Sequence, residues 1–175
     1  MDQGAGDPAE VLEAGDTRDE GARRALSIDV DVATLSAVEA ALDEARATLS
    51  AHFGVLLGPR EGPGFIRYGV CGRYWPHRDR AQDSAWPGAS RRLVSLVAFL
   101  NSAHDRPAAH EFAGGELTIY PASYPASQDG DRSDPIRVLP QEGLLVAFDA
   151  SLLHEVQPVT AGVRDVIVDW IYEGL

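Results

Sequence analysis

A His-x-Asp triplet, His77-Arg78-Asp79, ends a stretch rich in aromatic residues that begins at Tyr68. In an extended strand, residues i and i+2 point to the same side, so the His77 imidazole and the Asp79 carboxylate can aim at one point. A second histidine, His154, lies near the C-terminus in the sequence HEVQP. Two imidazoles and one carboxylate on one face of a metal ion, with the other positions open, form a ligand set that holds catalytic Fe(II). These residues therefore predict an iron centre.

A buried arginine is the second chemical feature that the sequence predicts. Arg164 lies on the last predicted strand and shares one strand face with Val166, Val168 and Trp170. An arginine that points inward among apolar side chains needs an anionic partner, because an unpaired buried charge is very costly. No acidic residue shares that face, so a dicarboxylate cosubstrate held by a bidentate fork is one candidate partner. A structural ion pair with Asp149 or another acid is the alternative.

Tyr68 and a pair of glycines add weaker indications. The phenol of Tyr68 can donate to a bound carboxylate, or it can belong to a core tyrosine with a satisfied hydroxyl. Gly114 and Gly115 enter a predicted strand, where they permit a tight turn or a close approach of the backbone. Several arginines flank the motif strands and are either surface residues or contacts for an acidic group: Arg67, Arg73, Arg80, Arg91 and Arg92.

The composition limits the class of protein. A chain of 175 residues is long enough for one domain with a sizeable core. The formal net charge of −12 disfavours a nucleic-acid partner, because an acidic chain is repelled by phosphate backbones. All 15 basic residues are arginine. The absence of lysine excludes a phosphate-loop lysine and a Schiff-base mechanism.

Cys71 is the single cysteine, which excludes an internal disulfide and a cysteine zinc cluster. A reduced, cytoplasmic setting is expected. No apolar run approaches the roughly 18 residues of a membrane span, and the acidic N-terminus shows no signal peptide.

The N-terminal part predicts a tail and one helix. Residues 1–25 are rich in Gly, Asp, Glu and Ala and predict a disordered acidic tail. A helical support is expected over about 31–54, because apolar residues recur at three- and four-residue steps between Ala33 and Phe53. Ser36 and Glu39 could form a capping box at the start of this helix, and Asp31 and Thr34 are alternative N-terminal caps. Gly54 is the predicted end of the helix.

From Gly64 onward the pattern changes to short strands separated by Gly, Pro, Asp and Ser, which is typical of an all-β sandwich or barrel. Leu93–Leu100 is apolar on both faces and is expected to be central. The polar, proline-rich segment Pro121–Pro135 predicts a lid or binding loop, and Ala81–Ser90 and Ser102–Ala113 predict the other long loops. The predicted strands are Phe65–Tyr74, Leu93–Leu100, Glu116–Tyr120, Ile136–Leu139, Leu144–Phe148, His154–Pro158 and Arg164–Tyr172.

The chain from about Gly64 to Glu173 resembles the prolyl-hydroxylase-like branch of the Fe(II)/2-oxoglutarate dioxygenases. The resemblance covers roughly two thirds of the chain, in family order. It is carried by Tyr68, Tyr74 and HRD, then RRLVSLVAFLN, GGELTIYP, VLPQEGLLVAFD and HEVQPVTAGVR, ending at Trp170.

The resemblance implies a mainly β (α+β) fold, a double-stranded β-helix or jelly-roll barrel with N-terminal helix support. It implies a tail over 1–25 and one dioxygenase domain over 26–175, with the jelly-roll core at about 64–173. His77, Asp79 and His154 would be the iron ligands, and Arg164 would hold the distal carboxylate of 2-oxoglutarate. Tyr68 and Ser95 would lie near this cosubstrate.

The implied activity is hydroxylation of an aliphatic C–H bond with release of succinate and CO2. Dioxygen is consumed, ascorbate is a candidate reductant, and the substrate is a prolyl or other peptidyl side chain or a small amino-acid-type molecule. A carboxylate at Asp79 favours hydroxylation, since related halogenases have a small residue there. Phe99 departs from the oxygen-sensing relatives, in which a tyrosine is common, and one hydrogen bond to the cosubstrate is therefore missing.

Two other functions fit the same ligand residues. The barrel also serves cupin-like binding modules, in which the three residues would hold a metal or small molecule without catalysis. A metallohydrolase could use the same site to activate water, although that function leaves Arg164 unexplained. The sequence does not fix the oligomeric state.

Overall fold

The computed structural model of the protein describes residues 7–8, 21–80, 87–121 and 134–174. These residues form one long α-helix, one short 3-10 helix and a set of β-strands, so the predicted mainly β class is confirmed. In chain order the elements are β1 (Asp7–Pro8), β2 (Arg23–Arg24), β3 (Leu26–Ser27), α1 (Val32–Phe53), β4 (Leu57–Arg60), β5 (Gly64–Tyr68), β6 (Arg73–His77), the 3-10 helix (Ala89–Arg91), β7 (Arg92–Phe99), β8 (Phe112–Gly114), β9 (Leu117–Ile119), β10 (Ile136–Val138), β11 (Leu145–Asp149), β12 (His154–Val156), β13 (Val159–Gly162) and β14 (Arg164–Glu173).

Two sheets pack face to face. Within the described residues, the larger sheet has seven strands in the order β1-β3-β5-β14-β7-β11, and β4 also pairs with β14. The smaller sheet has five strands in the order β10-β9-β12-β6-β2. Apolar side chains from both sheets form one core cluster, which includes Ile66, Val97 and Val166 from the larger sheet and Leu117 and Val156 from the smaller sheet. The interior between the sheets is therefore the place where side chains from both sheets can meet.

Helix α1 covers the outer face of the larger sheet. Its start is capped by Asp31, whose Oδ1 accepts a hydrogen bond of 2.9 Å from the Thr34 backbone N–H. The predicted capping box is wrong, because Ser36 lies inside the helix. The helix ends at the predicted Gly54, which has φ 66° and donates to the Ser50 carbonyl.

The predicted strand Phe65–Tyr74 is wrong as a single element. The chain turns between Tyr68 and Arg73, so β5 lies in the larger sheet and β6 in the smaller sheet. A Cβ at Gly72 would stand 2.6 Å from the Gly69 carbonyl oxygen, so this turn needs a glycine. The break matters for function, because it moves the His77 strand across the barrel from Tyr68.

The two-residue strands β1, β2 and β3 were not predicted, and neither were β4, β8 and β13. The last three, β4, β8 and β13, lie within the part of the chain predicted from Phe53 onward as helix end, loops and turns. They are only three or four residues long, and their glycines and proline hide a period-2 pattern. The segment Ser102–Ala113, predicted as a loop, contributes the start of β8.

Parts of the predicted tail and loops lie outside the described residues, namely 1–6, 9–20, 81–86 and 122–133. Within the predicted tail, β1 pairs with β3 and β2 pairs with β6, so at these residues the chain belongs to the sheets. Among the described residues, no helix combines the length and the apolar character needed to cross a membrane.

Leu42 is the side chain through which α1 is anchored, since it is 5% exposed and packs with Leu57, Val94 and Ile171. We expect Leu42→Ala to lower the free energy of unfolding by about 2–5 kcal/mol, because it leaves a cavity between helix and sheet. Urea unfolding followed by circular dichroism measures this loss. Val32→Ala on the same helix is the control, because Val32 is 79% exposed and its truncation should be nearly neutral. Equal losses for the two variants would contradict this packing.

Candidate functional site

His77, Asp79 and His154 converge on one point between the two sheets. His77 ends β6 and His154 begins β12, and the two histidines are paired in register in the smaller sheet. Asp79 lies two residues beyond the end of β6. The potential ligand atoms of all three residues lie within 4.8 Å of one another. The predicted meeting of these three side chains is therefore observed, although Asp79 reaches it from outside a strand.

The carboxylate of Asp79 faces both imidazoles. Its Oδ1 lies 3.7 Å from His77 Nε2, and its Oδ2 lies 3.4 Å from His154 Nε2. The two imidazole rings are 4.1 Å apart between centroids. These are the separations expected for three donors arranged around one small cation.

Backbone carbonyls select the nitrogen that each histidine can offer. His77 Nδ1 lies 2.8 Å from the Trp75 carbonyl oxygen, and His154 Nδ1 lies 3.0 Å from the Leu152 carbonyl oxygen. A carbonyl only accepts, so each Nδ1 carries a proton, and each ring in its neutral form presents the lone pair of Nε2. Such carbonyl partners are typical of metal-binding histidines, since they fix both the tautomer and the ring orientation.

The electrostatics of the cluster favour a cation. Burial lowers the pKa of His77 to about 3, and repulsion by His154 adds to this shift. Burial raises the pKa of Asp79, but attraction by His154 outweighs it, so the pKa lies below its usual range. Burial lowers the pKa of His154, yet the neighbouring Asp79 raises it overall. The site thus combines a neutral imidazole with an ionised carboxylate, as binding of a divalent metal requires.

Ser95 contacts the carboxylate of the cluster. Its hydroxyl donates a hydrogen bond of 2.6 Å to Asp79 Oδ2, and both residues are buried. Ser95 was predicted near a cosubstrate, but the partner that the structure gives it is Asp79.

Arg164 is buried in the same interior. It is 1% exposed, and its Nε and Nη1 have no hydrogen-bond partner. Its Cζ lies 4.9 Å from the centroid of the Tyr68 ring and 5.1 Å from that of Phe99. Among the described residues it forms no ion pair, and the alternative partner Asp149 accepts from the Ser151 backbone instead. Burial lowers the pKa of Arg164 to about 10, which still leaves it charged at neutral pH.

Gly115 makes room for this arginine. It has φ +65°, and a Cβ there would lie 2.9 Å from Arg164 Cδ and 3.1 Å from Phe112 Cε2. Gly114 also has positive φ, and a Cβ there would lie 2.4 Å from the Pro158 carbonyl oxygen. Both readings of the glycine pair, a turn and a close approach, are observed.

The flanking arginines have mostly local partners. Arg67 forms two hydrogen bonds of 2.8 Å with Asp165, and Arg92 forms bonds of 2.7 and 2.5 Å with Glu61. Arg80 lies 3.8 Å from Glu173, while Arg73 and Arg91 stack over Trp75 and Tyr172.

One arginine near the cluster was not singled out from the sequence. Tyr74 stacks on His77 with 3.4 Å between ring centroids. The Cζ of Arg23 lies over the Tyr74 ring, 4.8 Å from its centroid. Arg23 was missed because it falls in the predicted tail, where only the pairing of β2 with β6 reveals its position.

The donor set fits a redox-active divalent metal such as Fe(II), because two imidazoles and one carboxylate bind it and leave positions open. The unpartnered Nε and Nη1 of Arg164 leave charged N–H donors free, and a carboxylate is an anion that can accept from such donors. Among the described residues, no acidic side chain lies against the Arg164 guanidinium as an ion-pair partner. The arrangement can therefore hold a metal together with a small anion.

Comparison with known proteins gives relatives of one kind. The profile described as the 2OG-Fe(II) oxygenase superfamily matches residues 63–172. A PKHD-type hydroxylase of Acaryochloris marina is 33% identical over 107 residues, which are 61% of this chain and 40% of that protein. A PKHD-type hydroxylase of Stenotrophomonas maltophilia is 33% identical over 110 residues, which are 62% of this chain and 42% of that protein. The chain thus spans about two fifths of the length of these curated relatives.

Among solved structures, a prolyl-4-hydroxylase of Pseudomonas putida superposes with a TM-score of 0.65 at 25% sequence identity. The match covers 90% of this chain and 76% of that one. It confirms the predicted double-stranded β-helix.

Metal binding tests the cluster directly. We expect Mn(II), used as a redox-inert probe, to bind the unaltered protein and raise its Tm, because a ligand of the folded state alone stabilises that state. His77→Ala and Asp79→Ala should lose both the calorimetric binding and the Tm shift. His104→Ala is the control, since His104 pairs with Glu111 on the surface. Unchanged Mn(II) affinity in either cluster variant would rule out these ligands.

Proposed function

Because this chain belongs to the 2OG-Fe(II) oxygenase superfamily, we propose that it is an Fe(II)- and 2-oxoglutarate-dependent dioxygenase. It hydroxylates an aliphatic C–H bond and releases succinate and CO2. The observation that carries the proposal is the buried Arg164, whose Nε and Nη1 are unpartnered in the interior that also holds the His-Asp-His cluster.

His77, Asp79 and His154 hold the iron in this proposal. When bound, Fe(II) supplies the activation of dioxygen and the oxidative decarboxylation of 2-oxoglutarate. The carbonyls of Trp75 and Leu152 keep both histidines in the tautomer that binds. The chain contributes the ligands, their orientation and a dry interior, while the redox chemistry belongs to the metal.

Arg164 binds the distal carboxylate of 2-oxoglutarate. A buried guanidinium that contacts the rings of Tyr68 and Phe99 has little rotational freedom, so its unpartnered N–H groups are already oriented before the anion arrives. Such preorganisation lowers the cost of binding. The hydroxyl of the buried Tyr68 lies beside Arg164 and is the second donor that we assign to this carboxylate. Phe99 packs there without a hydroxyl, so the arginine supplies most of the binding.

A prolyl or other amino-acid-type residue is the proposed substrate. The support is the likeness to the Pseudomonas putida prolyl-4-hydroxylase and to the PKHD-type hydroxylases. Segments 81–86 and 122–133 lie outside the described residues and belong to the predicted long loops Ala81–Ser90 and Pro121–Pro135.

Succinate formation tests the activity. We expect Fe(II)-dependent conversion of 2-oxoglutarate to succinate, slow without substrate and faster with a prolyl peptide, measured by mass spectrometry with ascorbate as reductant. Asp79→Ala should abolish the conversion, because it removes a metal ligand. A protein that binds metal but forms no succinate under any of these conditions would be a binding module, and the dioxygenase proposal would fail.

The role of Arg164 is tested by the KM for 2-oxoglutarate. We expect Arg164→Lys to raise this KM by about 10- to 100-fold, since a charged, bidentate hydrogen bond contributes about 1.5–3 kcal/mol. Arg67→Lys is the matched control, because Arg67 lies on the neighbouring strand β5 and pairs with Asp165 of β14. If the two variants gave the same KM as the parent, Arg164 would have another role.

Gly115→Ala tests the space around Arg164 without changing the arginine. The new Cβ would press on Arg164 Cδ, so we expect a higher KM for 2-oxoglutarate with Mn(II) binding retained. Gly143→Ala is the control for backbone strain, because Gly143 has φ +80° but nothing within 4 Å of the added Cβ. A KM that changes equally in both variants would mean that strain alone, rather than contact with Arg164, is responsible.

A further inference from the structure

Asp79 is held in place differently from the two histidines. His77 and His154 lie in paired strands, and β12 is paired on both of its edges, with β6 and β9. Asp79 lies two residues beyond the end of β6 and belongs to none of the described strands. Its position must therefore come from side-chain contacts and from single backbone bonds such as that of Arg80 N–H to the Ala150 carbonyl, 2.8 Å long.

Ser95 holds the carboxylate end of Asp79. It lies in β7, which is paired on both edges, facing Phe148 of β11 and Trp170 of β14. Ser95 is 1% exposed, and its hydroxyl donates to Asp79 Oδ2 over 2.6 Å. This bond crosses from the larger sheet to the segment that follows the smaller sheet, so it fixes the rotation of the carboxylate relative to a rigid strand.

Arg92 holds the backbone end of the same residue. Its Nη1 donates to the Asp79 carbonyl oxygen at 3.4 Å, and its Cζ lies 3.6 Å from the centroid of the Trp170 ring. Glu61 accepts from Nε and Nη2 at 2.7 and 2.5 Å. The guanidinium is 2% exposed and immobilised on both sides, which makes it a fixed donor.

We infer that Ser95 and the Glu61–Arg92 pair are positioning residues that present the Asp79 carboxylate to the metal in one orientation. The inference rests on the proposed role of Asp79 as a ligand. Arg92 and Ser95 stand three residues apart on β7, so one central strand sets both ends of a ligand that has no strand of its own. Partners of ligating carboxylates typically change metal affinity by 10- to 100-fold.

The test compares Ser95→Ala with Ser95→Thr, which keeps the hydroxyl. Mn(II) affinity is measured by calorimetry, and the ligand geometry by the visible spectrum of the Co(II)-loaded protein. We expect Ser95→Ala to weaken Mn(II) binding by about 10- to 100-fold and to alter the Co(II) spectrum. Ser95→Thr should retain most of the parent's Mn(II) affinity and a Co(II) spectrum close to that of the parent. Ser102→Ala is the control, because the Ser102 hydroxyl accepts from the Glu142 N–H on the surface.

Glu61→Gln tests the contact of Arg92 with the Asp79 backbone carbonyl. This variant remains informative if the Thr side chain does not fit at position 95. It should release Arg92 and shift the Co(II) spectrum in the same direction, with a smaller loss of affinity. Ser95→Ala and Glu61→Gln proteins that bind Mn(II) as tightly as the parent, with an unchanged Co(II) spectrum, would overturn the inference. A parent protein that binds neither metal would instead overturn the proposed function, so the two failures are distinguishable.

Discussion

The burial of the positive charge of Arg164, which has no acidic partner among the described residues, is the constraint on which the rest of this structure depends. Desolvating a guanidinium is expensive, and the groups described around this one are two aromatic rings, Tyr68 and Phe99, of which Tyr68 also carries a hydroxyl. Gly115 leaves the space that the arginine stem occupies. A fold that needed only stability would have an apolar residue or an ion pair at Arg164. The retained charge is what the proposed role of Arg164 in binding 2-oxoglutarate requires.

The two sheets contribute different residues to that interior. The smaller sheet carries both histidines in paired strands, with carbonyls fixing their tautomers. The larger sheet carries Arg164 on β14 and Ser95 on β7, two strands that are paired on both edges. Asp79 joins the two, since it follows a strand of the smaller sheet and is bonded to a residue of the larger. Helix α1 lies behind the larger sheet and stabilises it without reaching the site.

The parts of the site that depend on residue type and on local strand pattern could be predicted from the sequence. The types of His77, Asp79, His154 and Arg164, and the apolar face around the arginine, led to a metal centre and an anion site that the geometry supports. The helix and most strands were predictable because their apolar periods are regular. The turn at Gly69–Gly72 was missed because aromatic residues on both sides of it continue a strand pattern that tertiary packing interrupts. Ser95, Arg92 and Arg23 could not be placed because their partners are distant in sequence. A cytoplasmic location stays a prediction.

The most direct measurement is a crystal structure of the protein with Mn(II) and 2-oxoglutarate, prepared without oxygen. We expect anomalous density for one metal ion among the Nε2 atoms of His77 and His154 and the carboxylate of Asp79, with the distal carboxylate of 2-oxoglutarate on Arg164. A metal bound elsewhere, or an Arg164 that still has no anionic partner in crystals that hold 2-oxoglutarate, would contradict the dioxygenase assignment.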